Sequence, residues 1–276
     1  MSSFYWLAIV ESIVLGLLCG VVGTIVVLRR RAFFTVALTH ATFPGGVVAA
    51  IGGFSVLLGA GVFSVVLVTV MTAISRVRRQ GAQVASGVVL TGGFALGMLL
   101  QSLWPSLPVQ VDTLLVGSIL TVTWGDILAA AVVLVVALLV LLVAGKELLF
   151  SSFDPWGFRA AGYREHVMDG VALTLIAATV VVAMPAVGSI LAIALIVGPA
   201  ASAGMLVRRV DRIIPVACLL GVLSGVLGLV ASLAWDIAAG GAISLVAALF
   251  FVLASAVRSL RKGRTTAQAL RTSAEH

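Results

Sequence analysis

The chain has 276 residues, 62% of them hydrophobic and only 10% charged, with a mean hydropathy of +1.25. A soluble domain carries about 25% charged residues, and a globule this apolar would expose more hydrophobic surface than water tolerates; disorder needs the opposite composition. The net charge of +7 sits in short basic clusters between apolar runs, which marks membrane anchoring and not a nucleic-acid partner.

What remains is an all-α integral membrane protein. A bilayer core about 30 Å thick takes about 20 apolar residues per crossing. Nine such runs follow one another: 7–28, 33–51, 54–75, 82–103, 126–145, 167–186, 189–207, 213–235 and 240–257, within a range of eight to ten transmembrane helices. No basic stretch precedes the first run, so it reads as a retained helix and not as a signal peptide. The 29 glycines suit helices that pack through small residues. Residues 1–257 form one transmembrane domain, and 258–276 a basic tail.

Alternate threading puts 29–31, 76–79, 146–166, 208–212 and 258–276 on one side, and these segments hold all 17 Lys and Arg. Cytoplasmic loops accumulate Lys and Arg. The N-terminus is therefore expected outside and the C-terminus in the cytoplasm, in a multi-pass protein of the cell (inner) membrane. The tail's basic residues suit anionic lipid headgroups.

In chain order, the first polar residue at membrane depth is Glu11. It either lines an external vestibule or reaches to the headgroups, and its place one turn inside the outer end favours the headgroups. Next comes His40, seven residues into the second run, about 10 Å from its cytoplasmic end. It stands in THATFPGG, where Pro44 removes a backbone donor and Gly45–Gly46 loosen the helix. A broken helix beside an imidazole is a substrate-site arrangement of transporters, and neutral imidazole binds Zn²⁺ and similar ions. A buried histidine bonded to a neighbouring helix weighs about equally on these grounds. Thr39 offers a weak neutral oxygen.

Segment 107–125 has too short an apolar stretch to cross, which suits a re-entrant or interfacial piece on the outer side. Trp104, Trp124 and Trp235 lie near outer boundaries, as in an aromatic belt. Between the fifth and sixth runs, 150–166 contains FDPWGFRAAGYR. Asp154 is predicted to cap a short helix with Pro155 at its first position and Gly162 at its end. Such a helix is a docking knob for a cytoplasmic protein, although on the residues alone an ordinary interfacial loop is slightly favoured. Asp236 reads as a solvated boundary residue, and Cys19, Cys218 and Met184 as packing residues. The chain has no HExxH, no GxSxG and no GxxxxGK[ST]. It is expected to be no enzyme, and any ATP hydrolysis must reside in a partner.

Four segments, LRRRAFFTVALTHATFPGG (28–46), TLLVGSILTVTWGDIL (113–128), FDPWGFRAAGYR (153–164) and VGSILAIALIVGPAASA (187–203), together resemble the permease subunits of ATP-binding-cassette importers for zinc, manganese and iron. WDIAAGGAISL (235–245) adds a weaker fifth, with Ala238 where a Pro is common. The resemblance implies the helical fold of type II importers and a second permease chain, most simply a homodimer around one path. It also implies a cytoplasmic ATPase on the coupling segment, with Asp154, Pro155, Arg159 and Gly162 at the contact, and an extracytoplasmic metal-binding protein. His40, with Glu11 and Thr39 as weaker candidates, would line the path. Pro44, Gly45 and Gly46, and then Gly198 and Pro199, would mark helix breaks. No cofactor is expected beyond the metal in transit.

One departure stands out. The family usually has an Asp four residues before the His, a spacing that puts both on one helix face; here that position is Val36. Loss of a hard carboxylate ranks zinc ahead of manganese, with iron third, unless Glu11 supplies the charge from another helix. The competing classes are a gradient-driven transporter or channel and a permease-like component for other cargo.

Overall fold

The computed structural model describes residues 2–75, 82–104, 117–207 and 209–274. Among them the chain is helical: α1 (Ser2–Leu28), α2 (Ala32–Ala41), α3 (Phe43–Gly52), α4 (Val56–Ser75), α5 (Ala82–Leu103), α6 (Trp124–Phe153), α7 (Pro155–Ala160), α8 (Glu165–Val187), α9 (Ser189–Leu206), α10 (Val210–Trp235) and α11 (Ala239–Ala274). Eight spans are long and apolar enough to cross a membrane, with α2 and α3 joined as one, and α9 is a shorter apolar helix. These nine pieces coincide with the nine apolar runs.

Three helices lie at the centre. About 72% of the most apolar stretch is buried in α1, in α2–α3 and in α8, against 17% in α6 and 22% in α4 and α5. The outer helices present Val62, Val65, Leu99, Leu128, Leu139 and Leu142 outward, which lipid can solvate. α1 owes its central place to glycine. A Cβ at Gly16 would stand 2.6 Å from the Val222 backbone, and one at Gly20 would stand 2.5 Å from Cys218. Gly16-x3-Gly20 on α1 thus meets Gly221-x3-Gly225 on α10, and the two backbones approach as far as small residues allow. Lipid tails supply no hydrophobic drive between helices, so this close packing carries the association.

The helices also run further than the apolar runs suggested. α6 has 30 residues, about 45 Å at 1.5 Å per residue, so it outruns the bilayer core and carries α7 beyond its end. Its start is fixed by a capping box: the Thr123 backbone N–H donates to Asp126 Oδ2 at 2.9 Å. The backbone of the tail continues α11 as helix to Ala274.

Residues 107–116 of the short apolar segment, with Asp112, lie outside the described residues, as do Arg76, Arg78 and Arg79. The described remainder is a 3₁₀ turn (Ile119–Thr121) docked on the α8–α9 corner, where the Ser118 N–H donates to Pro185 O at 3.0 Å. Non-helical backbone at such depth survives only where protein covers it, and Ile119 is 1% exposed.

Candidate metal path and inner coupling face

His40 ends the exposed register of α2. The helix does not break open there: Thr42 alone separates α2 from α3, with right-handed helical dihedrals (φ −75°, ψ −14°). The Thr42 N–H still donates to Leu38 O at 3.0 Å, and the Gly45 N–H donates to Thr42 O at 3.0 Å in a tightened turn. Pro44 lies in the first turn of α3, where its missing donor costs least. Gly45 serves a second purpose, since a Cβ there would strike Gly59 O at 2.6 Å where α3 crosses α4. The expected fracture at Pro44–Gly46 is therefore a one-residue kink. At Gly198–Pro199 there is no interruption; α9 runs through both, and Ser202 Oγ donates to Gly198 O at 2.7 Å.

The His40 ring is half-buried and meets Phe94 of α5 edge-on, with centroids 6.3 Å apart and planes at 83°. It makes no hydrogen bond among the described residues, so its nitrogens stay free for a ligand. Thr39 is buried, and its hydroxyl donates to Val36 O at 2.8 Å, which leaves only oxygen lone pairs. Val36 itself is half-buried one turn before His40. Among the described residues, no three His, Cys, Asp or Glu gather as a metal cage.

Glu11 departs from its expected position. Its side chain does not reach to headgroups; it is fully buried, and neither carboxylate oxygen has a hydrogen-bond partner among the described residues. The cause is the central position of α1, which packs on α6, α8, α9, α10 and the 3₁₀ turn, leaving no route to the surface. An ionised carboxylate buried without a partner costs several kcal/mol, so this arrangement suits the neutral acid. Glu11→Gln should therefore leave the thermal stability of the purified permease within about 1 kcal/mol of wild type. Glu11→Ala, which opens a cavity, should cost about 2–4 kcal/mol. Equal losses for both variants would refute the neutral acid. Asp236 is exposed in the left-handed conformation that caps α10. Cys19 is buried, Cys218 is half-buried, and both are free thiols.

At the other end of the bundle, α7 is built as the capping residues dictate. Asp154 Oδ1 accepts from the Gly157 N–H at 2.8 Å, Pro155 opens the helix, and Gly162 turns the chain at φ +84°. Phe158, 1% exposed, anchors it between Phe150 (edge-on, 5.4 Å) and Tyr163 (stacked, 4.8 Å). Trp156 points outward, 79% exposed, with the Arg159 guanidinium over its ring at 4.6 Å.

A polar cluster that no local sequence pattern marks joins the chain segments on either side of this helix. Arg29 Nη1 donates to Asp169 Oδ1 at 2.5 Å, Arg31 Nη2 donates to Asp169 Oδ2 at 2.9 Å, and Arg29 also donates to Ser151 Oγ. Burial pulls the Arg29 guanidinium below its ordinary pKa, and the Asp169 carboxylate opposes that shift. The available signal was that Arg29, Arg31 and Asp169 all fall at the same membrane side in the alternate threading.

Comparison with known proteins agrees with this architecture. Residues 1–258 match the model of the ABC 3 transport family. The chain is 31% identical over 252 residues to the manganese transport system membrane protein MntC of Halalkalibacterium halodurans, covering 91% of this chain and 86% of that one. It is 28% identical over 261 residues to a probable iron transport system membrane protein of Haemophilus influenzae, covering 92% and 93%. Among solved structures, PsaBC from Streptococcus pneumoniae in complex with Fab superposes with a TM-score of 0.82 at 30% identity, over 91% of this chain and 90% of that chain. This multi-pass membrane protein belongs to the ABC 3 transport family.

Proposed function

We propose that the chain is the membrane-spanning permease of an ATP-driven importer of divalent transition-metal ions. Two copies surround one path, a separate ATPase grips α7 from the cytoplasm, and an external metal-binding protein delivers the ion. The N-terminus is outside and the C-terminus inside. The observation that carries the reading is the half-buried imidazole of His40, without a hydrogen-bond partner among the described residues and close to the α2–α3 junction, in a chain of this family. One imidazole without a companion carboxylate makes a weak site, and a conducting site must release its ion.

The donor chemistry favours zinc, because Val36 removes the hard oxygen that suits manganese. A second reading, manganese, rests on what several relatives are named for. The test is ATP-dependent uptake by proteoliposomes holding the permease and its ATPase, with Zn²⁺, Mn²⁺ and Fe²⁺ in competition. Zinc inhibiting manganese uptake at lower concentration than the reverse supports the first reading, and the opposite order supports the second. Flux through the isolated permease without ATP would overturn both.

Docking on α7 has its own expected outcome. Asp154→Ala removes an N-cap worth about 1 kcal/mol, and Gly162→Val puts a branched side chain at φ +84°, a strain of about 1–3 kcal/mol. Both variants should stay in the membrane but carry less metal per ATP hydrolysed. Unchanged stoichiometry would show that α7 is not the contact.

A further inference from the structure

The cluster behind α7 spans every element that leads from the docking helix to the His40 helix. Ser151 lies in the last turn of α6, directly before α7, and Asp169 lies in the second turn of α8, directly after it. Arg29 bonds to both, so one guanidinium holds the two chain segments that flank α7. That guanidinium is 6% exposed, and it cannot be released into water without rearranging the helix ends. Asp169 in turn receives Arg31, the residue that caps the N-terminus of α2, and the Arg31 carbonyl accepts from the Thr35 hydroxyl at 3.1 Å. His40 follows nine residues later on the same helix. On the docking side, Arg159 of α7 pairs with Glu165 at 3.2 Å, and Glu165 precedes Asp169 by one turn on the same face of α8.

The joints differ in strength. The outermost pair, Arg159 and Glu165, is 50% and 33% exposed, and exposed pairs hold weakly. The Asp169 carboxylate binds two guanidiniums, through one oxygen each, and at partial burial such charge-assisted bonds are the strong ones. An open cleft of about 590 Å³ lies beside the cluster, lined by Arg29, Arg30, Arg31, Phe33, Phe34 and the first turn of α5. The start of α2 therefore meets α8 through paired charges, and the rest of the helix packs on α5.

We propose that Asp169 is a positioning residue that transmits displacement of α7 to the His40 helix by holding Arg31 and Arg29 at once. This rests on the reading of the chain as an ATP-driven permease. In transport, the ATPase moves α7, α8 follows as its continuation, and Asp169 carries the start of α2 with it. Loss of the carboxylate leaves docking and hydrolysis intact while the path no longer responds.

The test uses the permease–ATPase complex in proteoliposomes, with zinc or manganese uptake and ATP hydrolysis measured on the same preparation. Asp169→Asn and Arg31→Gln should each retain ATPase co-purification and hydrolysis but lower metal transported per ATP at least about tenfold. The double variant should be no worse than Asp169→Asn alone, because that substitution already releases Arg31, and Asp169→Glu should recover part of the coupling. A merely structural salt bridge would instead lower the melting temperature and leave the stoichiometry of the surviving protein at the wild-type value, which overturns the proposal. If Asp169→Asn does not fold, Arg31→Gln, on the more exposed arm, decides alone. Wild-type complex that takes up no metal with ATP refutes the functional reading itself; wild type that couples beside variants that couple equally well refutes only the role of Asp169.

Discussion

His40→Ala should lower ATP-driven metal uptake by at least the roughly 10–100-fold that loss of an outer-shell partner costs a metal site, with folding and ATPase binding intact. The ring contributes little to stability: it is half-buried, makes no hydrogen bond among the described residues, and touches Phe94 through an edge contact. Such aromatic contacts are worth about 0.5–1.5 kcal/mol. The loss is expected because the proposed role of the side chain rests on its ring nitrogens and not on packing. The neighbouring position gives a complementary gain. Val36→Asp places a carboxylate one turn from the imidazole, on the same helix face, and should raise manganese uptake relative to zinc in the competition assay. An unchanged metal order would mean that this face of α2 does not meet the ion.

The largest loss of folded protein is expected where backbones touch. Gly20→Val should strip the membrane of folded permease, and even Gly20→Ala should cost about 1–3 kcal/mol in thermal unfolding. The added carbon would lie 2.5 Å from Cys218 Cα, a backbone atom that no rotamer change can move, so α1 and α10 must separate. Glycines in open space set the contrast: a Cβ at Gly87 or Gly92 of α5 meets nothing within 4 Å. Alanine there should be neutral or gain up to about 1 kcal/mol from helix propensity. Equal melting temperatures for Gly20→Ala and Gly92→Ala would contradict the packing described here.

Much of this architecture was legible because lipid imposes a simple rule: every crossing must be helical and about 20 residues long. The nine apolar runs therefore mark nine helices, and Asp154, Pro155 and Gly162 bound α7 through local backbone chemistry alone. Tertiary facts were harder to read. Nothing local to Glu11 says that α1 is enclosed, because the enclosing helix, α10, lies about 200 residues away. The paired small-residue spacings, Gly16-x3-Gly20 and Gly221-x3-Gly225, were the available clue. The kink after His40 was overread for a related reason. Pro44 at the start of a new helix costs no hydrogen bond, so the backbone passes through Thr42 without unwinding. Arg29 and Arg31 counted only as topological charge, although Asp169 stands at the same membrane face to receive them.

If the imidazole of α2 faces the route of the ion, a thiol in its place must sense both metal and nucleotide. In a variant whose two native cysteines are replaced by alanine, His40→Cys in the reconstituted permease–ATPase complex can be labelled with a small thiol reagent. The expected result is modification that zinc or manganese slows and that ATP turnover accelerates. A thiol that never reacts, or that reacts at one rate whatever the metal and nucleotide, would contradict it.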